Sequence, residues 1–480
     1  MLRCLLMICC LTFPACRATA GVIAPVSPAG PTEVWVDGVW REAGDGSRAR
    51  PFTSLHEVLA RGLGGGTPVR VRLAPGRYAG PFVLPAEVEL VGAGEGSVLY
   101  GAGTEPVSRA PEGVRLKDLV IEGGTWGLEA AGAVRLDAVR FRGQSQGGVR
   151  MESGQLTVEG GGLEAEGTGA VGVLLGAGAR AEVREATFTG SFRRGVEARN
   201  AEAELESVRF RGPQTALYQE AGRVRLRHVS VEGGREVGLF VQRGTLRLED
   251  VTVTGHEYGL QSMKATLEGW GFTSVRALRS GVALVGSQAE LEDTVVLGSG
   301  SFGGVSLVAS ETVLRGLRVD GAEEYGVMAT RGRLRLERAV LTRLTTRDGE
   351  SGDGLHLRDT QVEVEGLVVR QASGVGVLAA QGAQVVLREA SLESCQEAGV
   401  WAETLGQVTA VGLEVRGSRG PALVAMVDGV LRVDALTARD NAAGLVMADC
   451  EGSTGVTLGR VTGQGREMGP RLACVASASP

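Results

Sequence analysis

A glycine followed by an apolar triplet returns about every 22 residues through most of the chain, a rhythm that few folds can accommodate. The anchors are Gly127, Gly148, Gly172, Gly195, Gly238, Gly259, Gly281, Gly304, Gly326, Gly354, Gly376, Gly399 and Gly444, with Ala216 and Ala422 standing in twice. Successive spacings lie between 21 and 24 residues, except for one of 28 from Gly326 to Gly354. Within one unit, Gly244 to Leu260 (GTLRLEDVTVTGHEYGL), apolar side chains alternate at Leu246, Leu248, Val251 and Val253. Alternation of period two marks strands with one buried face. The polar Glu249-Asp250 step is too short for a hairpin and reads as a bend between strands that keep turning in one sense. Gly255 and Gly259 bracket a wider corner.

Three short strands per repeat predict an all-β chain, a parallel β-solenoid in which each coil hydrogen-bonds to the next at about 4.8 Å. Leucine-rich repeats share the period but need an asparagine in each unit, and asparagine occurs here only at Asn200 and Asn441. The same scarcity removes an asparagine ladder, so the corners are expected to be held chiefly by glycine geometry. Right-handed coiling follows from the crossover rule for parallel strands, and the rod should be about 80 Å long. Inward pairs such as Val183 with Phe188, Leu226 with Val231, Leu291 with Val296, Leu336 with Leu341 and Leu387 with Leu392 are expected to stack as rows. The composition agrees: 75 glycines and 4% aromatics do not build an ordinary globular core, while 43% hydrophobic residues do not suit disorder.

The net charge of −6 is spread along the chain without a basic block, which argues against nucleic acid or an anionic membrane surface as the main partner. Residues 1–20 read as an export signal: Arg3, an apolar run from Cys4 to Phe13, then small residues. Phe13-Pro14-Ala15-Cys16 looks like a bacterial lipobox, which makes Cys16 the lipidation candidate, while Ala18-Thr19-Ala20 is the alternative cleavage site for simple secretion. The expected location is the outer membrane or cell surface through a lipid anchor, with the periplasm or the medium as the alternative. The mature cysteines are Cys395, Cys450 and Cys474, and an oxidising compartment permits one disulfide. Stacking of the last coils would put Cys450 and Cys474 within disulfide reach.

Residues 21–32 are rich in proline and glycine and suit a flexible tether. Residues 33–110 form an N-terminal cap and first coils, 111–463 the regular solenoid, and 464–480 a last coil and tail. Ser54 to Arg61 reads as a short amphipathic helix, with Ser54 and Glu57 spaced as a capping box and Gly62 as its stop. It would plug the open end of the solenoid. The order GDGS, PFTSL, short helix, VRVRL, PGRY and VELVG resembles the N-terminal entry of pectin-lyase-like right-handed β-helix proteins, over roughly residues 35–100. The resemblance implies a right-handed parallel β-helix and leaves the chemistry open.

The 28-residue spacing places extra residues in Leu341 to Gly354 (LTRLTTRDGESGDG), where Arg343, Arg347, Asp348, Glu350 and Asp353 precede His356. Carboxylates with arginine and histidine on such a loop could serve general acid-base chemistry, bind a sugar or hold Ca²⁺; otherwise no cofactor or metal is expected. A solvated loop of turn formers accounts for the same residues. Of the aspartate cluster, G-H-G and R-I-K elements of polygalacturonases only Gly255-His256-Glu257 comes near, neither lysine has the acidic calcium ligands that accompany the lysine or arginine of pectate lyases, and the D-P-H-D element of alginate epimerases is absent. His56, His228 and His256 stand apart from any partner at useful spacing.

Two residues after each anchor, the outward position reads Glu129, Arg150, Leu174, Glu197, Tyr218, Phe240, Gln261, Ala283, Ser306, Met328, His356, Leu378, Trp401, Val424 and Val446. From Met328 to Val446 this is an apolar column facing away from the core, expected either to bind a partner or to be covered by another segment. The leading expectation is a non-catalytic cell-envelope protein presenting a rigid face to a polysaccharide or a surface protein. The alternative is a polysaccharide lyase or glycoside hydrolase that uses the 343–356 loop.

Overall fold

The structure, a computed structural model, describes residues 32–61, 69–165, 169–347, 349, 351–463 and 473–477. It is a parallel β-solenoid. Every strand pairing among the described residues is parallel and joins one coil to the next. A single interior row can be followed from Val34 through Val71, Leu90, Leu116, Leu136, Val158, Val183, Leu205, Leu226 and Leu248. It continues through Gly269, Leu291, Leu314, Leu336, Val364, Leu387, Ala410 and Val433 to Leu458. The aliphatic members are buried, and each valine or leucine contributes about 1.5–3 kcal/mol by leaving water. The expected inward pairs all lie in the main core.

Each coil has an anchor strand, a middle strand and a third strand, as in Val237–Gln242 followed by Thr245–Thr254, which bends at Asp250. The anchors are glycine for lack of space. A Cβ on Gly238 would lie 2.3 Å from Val253 Cγ1, and one on Gly399 would lie 2.4 Å from Val415 Cγ1. Both the anchor glycine and the residue after it face the core, so the backbone bends there and the residues on either side both face outward.

The bend between middle and third strands is a glycine corner in only some of the coils, although glycine is expected to hold most of the corners. It takes left-handed backbone in coil after coil, at Asp118, Ala138, Glu185, Ser207, His228, Asp250, Asp293, Arg338, Glu389 and Ala435, with glycine at Gly160, Gly271, Gly316, Gly366 and Gly412. An L-residue there costs about 1 kcal/mol, which the stacked neighbours on both sides offset. Gly444 is likewise no anchor: Leu423 pairs with Val446, so Leu445 stands opposite Ala422.

The outer face of the middle strands carries charges of both signs, paired within and between rungs. Arg184 contacts Glu159 and Glu182 at 3.1 Å, and Arg227 contacts Glu204 at 2.7 Å. At the N-terminal end the helix Leu55–Ala60 seals the core with Leu55, Val58 and Leu59. Ser54 accepts from the Glu57 amide at 3.3 Å, but the Glu57 side chain turns to Arg61 instead of closing the capping box. At the other end Cys450 and Cys474 are joined, with Cα atoms 5.3 Å apart. Gly62, Cys16 and the residues of the export signal lie outside the described residues. No helix among the described residues is long and apolar enough to cross a membrane.

Candidate functional site

The outward column is one continuous register. Glu129, Arg150, Leu174, Glu197, Tyr218, Phe240, Gln261, Ala283, Ser306 and Met328 pair rung to rung. His356, Leu378, Trp401 and Val424 follow. The next member is Met447, not Val446: the one-residue shift at the last anchor turns Val446 toward the main core and puts Met447, 40% exposed, on the outer face. Nor is the column open along its length. Val424 is fully buried and His356 nearly so. Val424 packs with Val375 and Ala398 in a second apolar cluster, and half-buried Leu378, Trp401 and Met426 close over it. Trp401 is therefore part of this packing and not a free stacking platform. Beyond it, Leu405 and Val427 point into solvent from turns with left-handed backbone.

The long spacing does make an insertion at the corner ahead of Gly354. The chain leaves the ladder after Thr345, which bridges Glu323, and returns at Gly352 and Asp353, whose amides both donate to the Glu324 carbonyl. The Glu324 side chain accepts from the Arg347 amide at 2.8 Å, and its other oxygen is buried without a hydrogen-bond partner among the described residues. Arg347 is exposed, and Asp348 and Glu350 lie outside the described residues. Arg343 is tied back to the preceding coil, donating from Nε to Asp320 at 2.7 Å, which holds the Asp320 carboxyl below the usual carboxylate range.

Asp353 and His356 meet at the root of the insertion. His356 Nδ1 lies 2.7 Å from Asp353 Oδ2, the Val375 amide donates to Asp353 Oδ1 at 2.8 Å, and the His356 ring leans on Tyr325 at 4.6 Å. Strand residues three apart normally face opposite sides. Here Gly354 and Leu355 both turn inward, so Asp353 and His356 share the outer face. A Cβ on Gly374 would fall 2.3 Å from Asp353 Oδ1, so the next coil must be bare there. The Asp353 charge, after burial itself, helps push the Cys395 thiol up to about 12, and the same two causes raise Glu397. An imidazole oriented by a carboxylate is the arrangement of a general acid or base. Tyr325, Glu324 and Glu397 carry no signal in the repeat pattern; the pairing of Asp353 with His356 was available from the two inward residues at each anchor.

No group of three or more histidine, cysteine, aspartate or glutamate side chains among the described residues is arranged to hold a metal ion. His256 is buried, with Nδ1 3.2 Å from the Thr254 carbonyl, and burial lowers its pKa. It fills the space above Gly234. His228 is an exposed corner residue 3.3 Å from Asp250, and His56 packs edge-on against Phe82.

No family model and no curated protein matches the chain. Similar solved structures include Vag8 in its complex with C1 inhibitor, at 18% identity and a TM-score of 0.47 over 91% of this chain and 100% of that one. The N-terminal fragment of bacteriophage Phi29 gene product 12 is 10% identical, with a TM-score of 0.39 over 85% and 86%. The catalytic unit of a GH87 α-1,3-glucanase from Streptomyces thermodiastaticus is 12% identical, with a TM-score of 0.31 over 92% and 70%. At these identities none of them bears on activity or ligand.

Proposed function

We propose that the chain is an exported cell-envelope protein whose outer anchor-strand face binds a polysaccharide or another surface protein. The observation that carries this reading is the apolar surface left outside the second cluster, exposed Leu405, Val427 and Met447 beside half-buried Leu378, Trp401 and Met426. Soluble proteins leave contiguous apolar surface of this kind where something docks. The residues of the contact are then Met328, Leu378, Trp401 and Met447, with nearly buried His356 between Met328 and Leu378 in the register. The export signal, with Cys16 as its lipid acceptor, is part of the same reading. Fractionating cells that express the wild type or Cys16→Ser tests it: the wild type should enter the membrane fraction and the variant should leave it. A variant that stays membrane-bound contradicts the anchor.

A second reading, polysaccharide lyase or glycoside hydrolase, is favoured by one observation, the Asp353–His356 contact at the insertion. It predicts chain shortening or unsaturated ends from an acidic or neutral polysaccharide, abolished in His356→Ala. Purified protein that binds a glycan without shortening it removes this reading.

A further inference from the structure

Far from the insertion, in the N-terminal half of the outer column, Glu197 is fully buried among three arginines. Arg199 approaches its Oε1 at 2.5 Å and Arg194 at 2.7 Å, while Arg193 lies 3.5 Å from Oε2. One carboxylate faces three guanidinium groups, and no other carboxylate among the described residues forms an ion pair with any of them. Of the neighbouring acids, Glu220, beside Arg199 in register, is held by Arg243 at 2.5 Å, and Glu236, which accepts from the Thr215 hydroxyl at 3.3 Å, forms no ion pair with any of the three arginines. On the middle strands, by contrast, a single arginine is shared among several acids, as Arg184 is among Glu159, Glu182 and Glu206. This spot keeps a surplus of positive charge.

The three arginines are also prepared differently. Arg194 is pinned with its guanidinium 3.4 Å from the Tyr218 ring centroid, and Tyr218 in turn stacks on Phe240 at 5.1 Å. Rings stacked along the rod turn their edges outward, and a ring edge is electropositive. Arg193 makes no hydrogen bond to Glu197, whose Oε2 is buried and without a hydrogen-bond partner. The side chains of Arg193 and Arg199 are 49% and 56% exposed, so their remaining donors face solvent.

We infer that Arg193, Arg194 and Arg199, oriented by Glu197, form a binding site for a phosphate monoester. The surplus of two positive charges matches a group that carries between one and a half and two negative charges near neutral pH, and planar guanidinium forks suit its oxygens. A sugar carboxylate, with one charge, leaves the surplus half unmatched. The inference stands independently of the apolar cluster around Val424.

Calorimetric titration of the full chain with inorganic phosphate, glucose 6-phosphate, glucuronate and vesicles containing phosphatidic acid tests it and separates the sources. Binding of any phosphate probe, weakened at least tenfold in both Arg193→Gln and Arg199→Gln and unchanged in Arg247→Gln, supports the site. Which probe binds most tightly then tells free, sugar-borne and lipid-borne phosphate apart. Thermal unfolding of each variant checks that the fold persists. Glucuronate binding as tightly as phosphate, equal binding by the arginine variants, or no binding by any phosphate probe overturns the inference.

Discussion

The two halves of the outer column share one backbone register and bury their side chains by opposite means. Around Glu197 a charge is withdrawn from water, and three arginines gather over it. Around Val424 no charge is buried: neighbouring apolar residues close the surface by themselves, and the Trp401 Nε1 is buried without a hydrogen-bond partner among the described residues. A solenoid repeats its backbone and not its chemistry. The outward position can therefore be anything whose neighbours one coil away supply what it lacks.

The largest test of that contrast moves a charge into the apolar half. Val424→Asp places a carboxylate where no arginine waits, and the expected loss is about 3–5 kcal/mol, read as a lower urea midpoint. A loss below about 1 kcal/mol would mean that water reaches this cluster. The reciprocal change, Glu197→Gln, removes the acid but keeps its shape. The expected loss is about 1–3 kcal/mol, because the arginines remain half in water. Salt should restore part of it by screening their repulsion.

The smallest of the mutational effects separates the halves by backbone alone. Val427 is β-branched and left-handed in the apolar half, whereas Asn200, in the coil of Glu197, holds the same conformation. Asparagine tolerates it and valine does not. Val427→Gly should gain about 1 kcal/mol, and Asn200→Gly should change stability by only a few tenths of a kcal/mol; equal responses would mean the turn geometry is wrong.

Acid adds a test at the coil between the halves. Burial lowers the pKa of His256 in the folded chain, while the unfolded chain binds its proton near pH 6.5. The unfolded state therefore takes up more protons, so this contribution to stability is fully present above about pH 6.5 and is lost as the pH falls through the folded value. Urea midpoints measured across that range should fall for the wild type and less steeply for His256→Asn. Equal slopes would show that His256 is not the group responsible.

The coil, its three strands and the inward rows were legible because burial imposes a period, and a period survives without any structure in hand. The coil with the insertion was legible for the same reason: it breaks the count. What the count could not reach was anything set by the third dimension. The sequence shows only a bend at Asp250 and its equivalents, yet non-glycine residues hold left-handed backbone there, a conformation that composition does not announce. Gly444 mimics an anchor and so points Val446 outward in the sequence, but nothing lies within 4 Å of where a Cβ on Gly444 would be, unlike the true anchors. The arginine cage is local in sequence, Arg193 to Arg199, but its significance depends on which other acids are already engaged.

The central claim, that the outer face binds without cutting, is tested most directly by incubating purified protein with a panel of acidic and neutral polysaccharides and following both retention and chain length. The account predicts retention of a ligand at unchanged length, reduced in Trp401→Ala and Met447→Asp. Shortened chains that disappear with His356→Ala would contradict it.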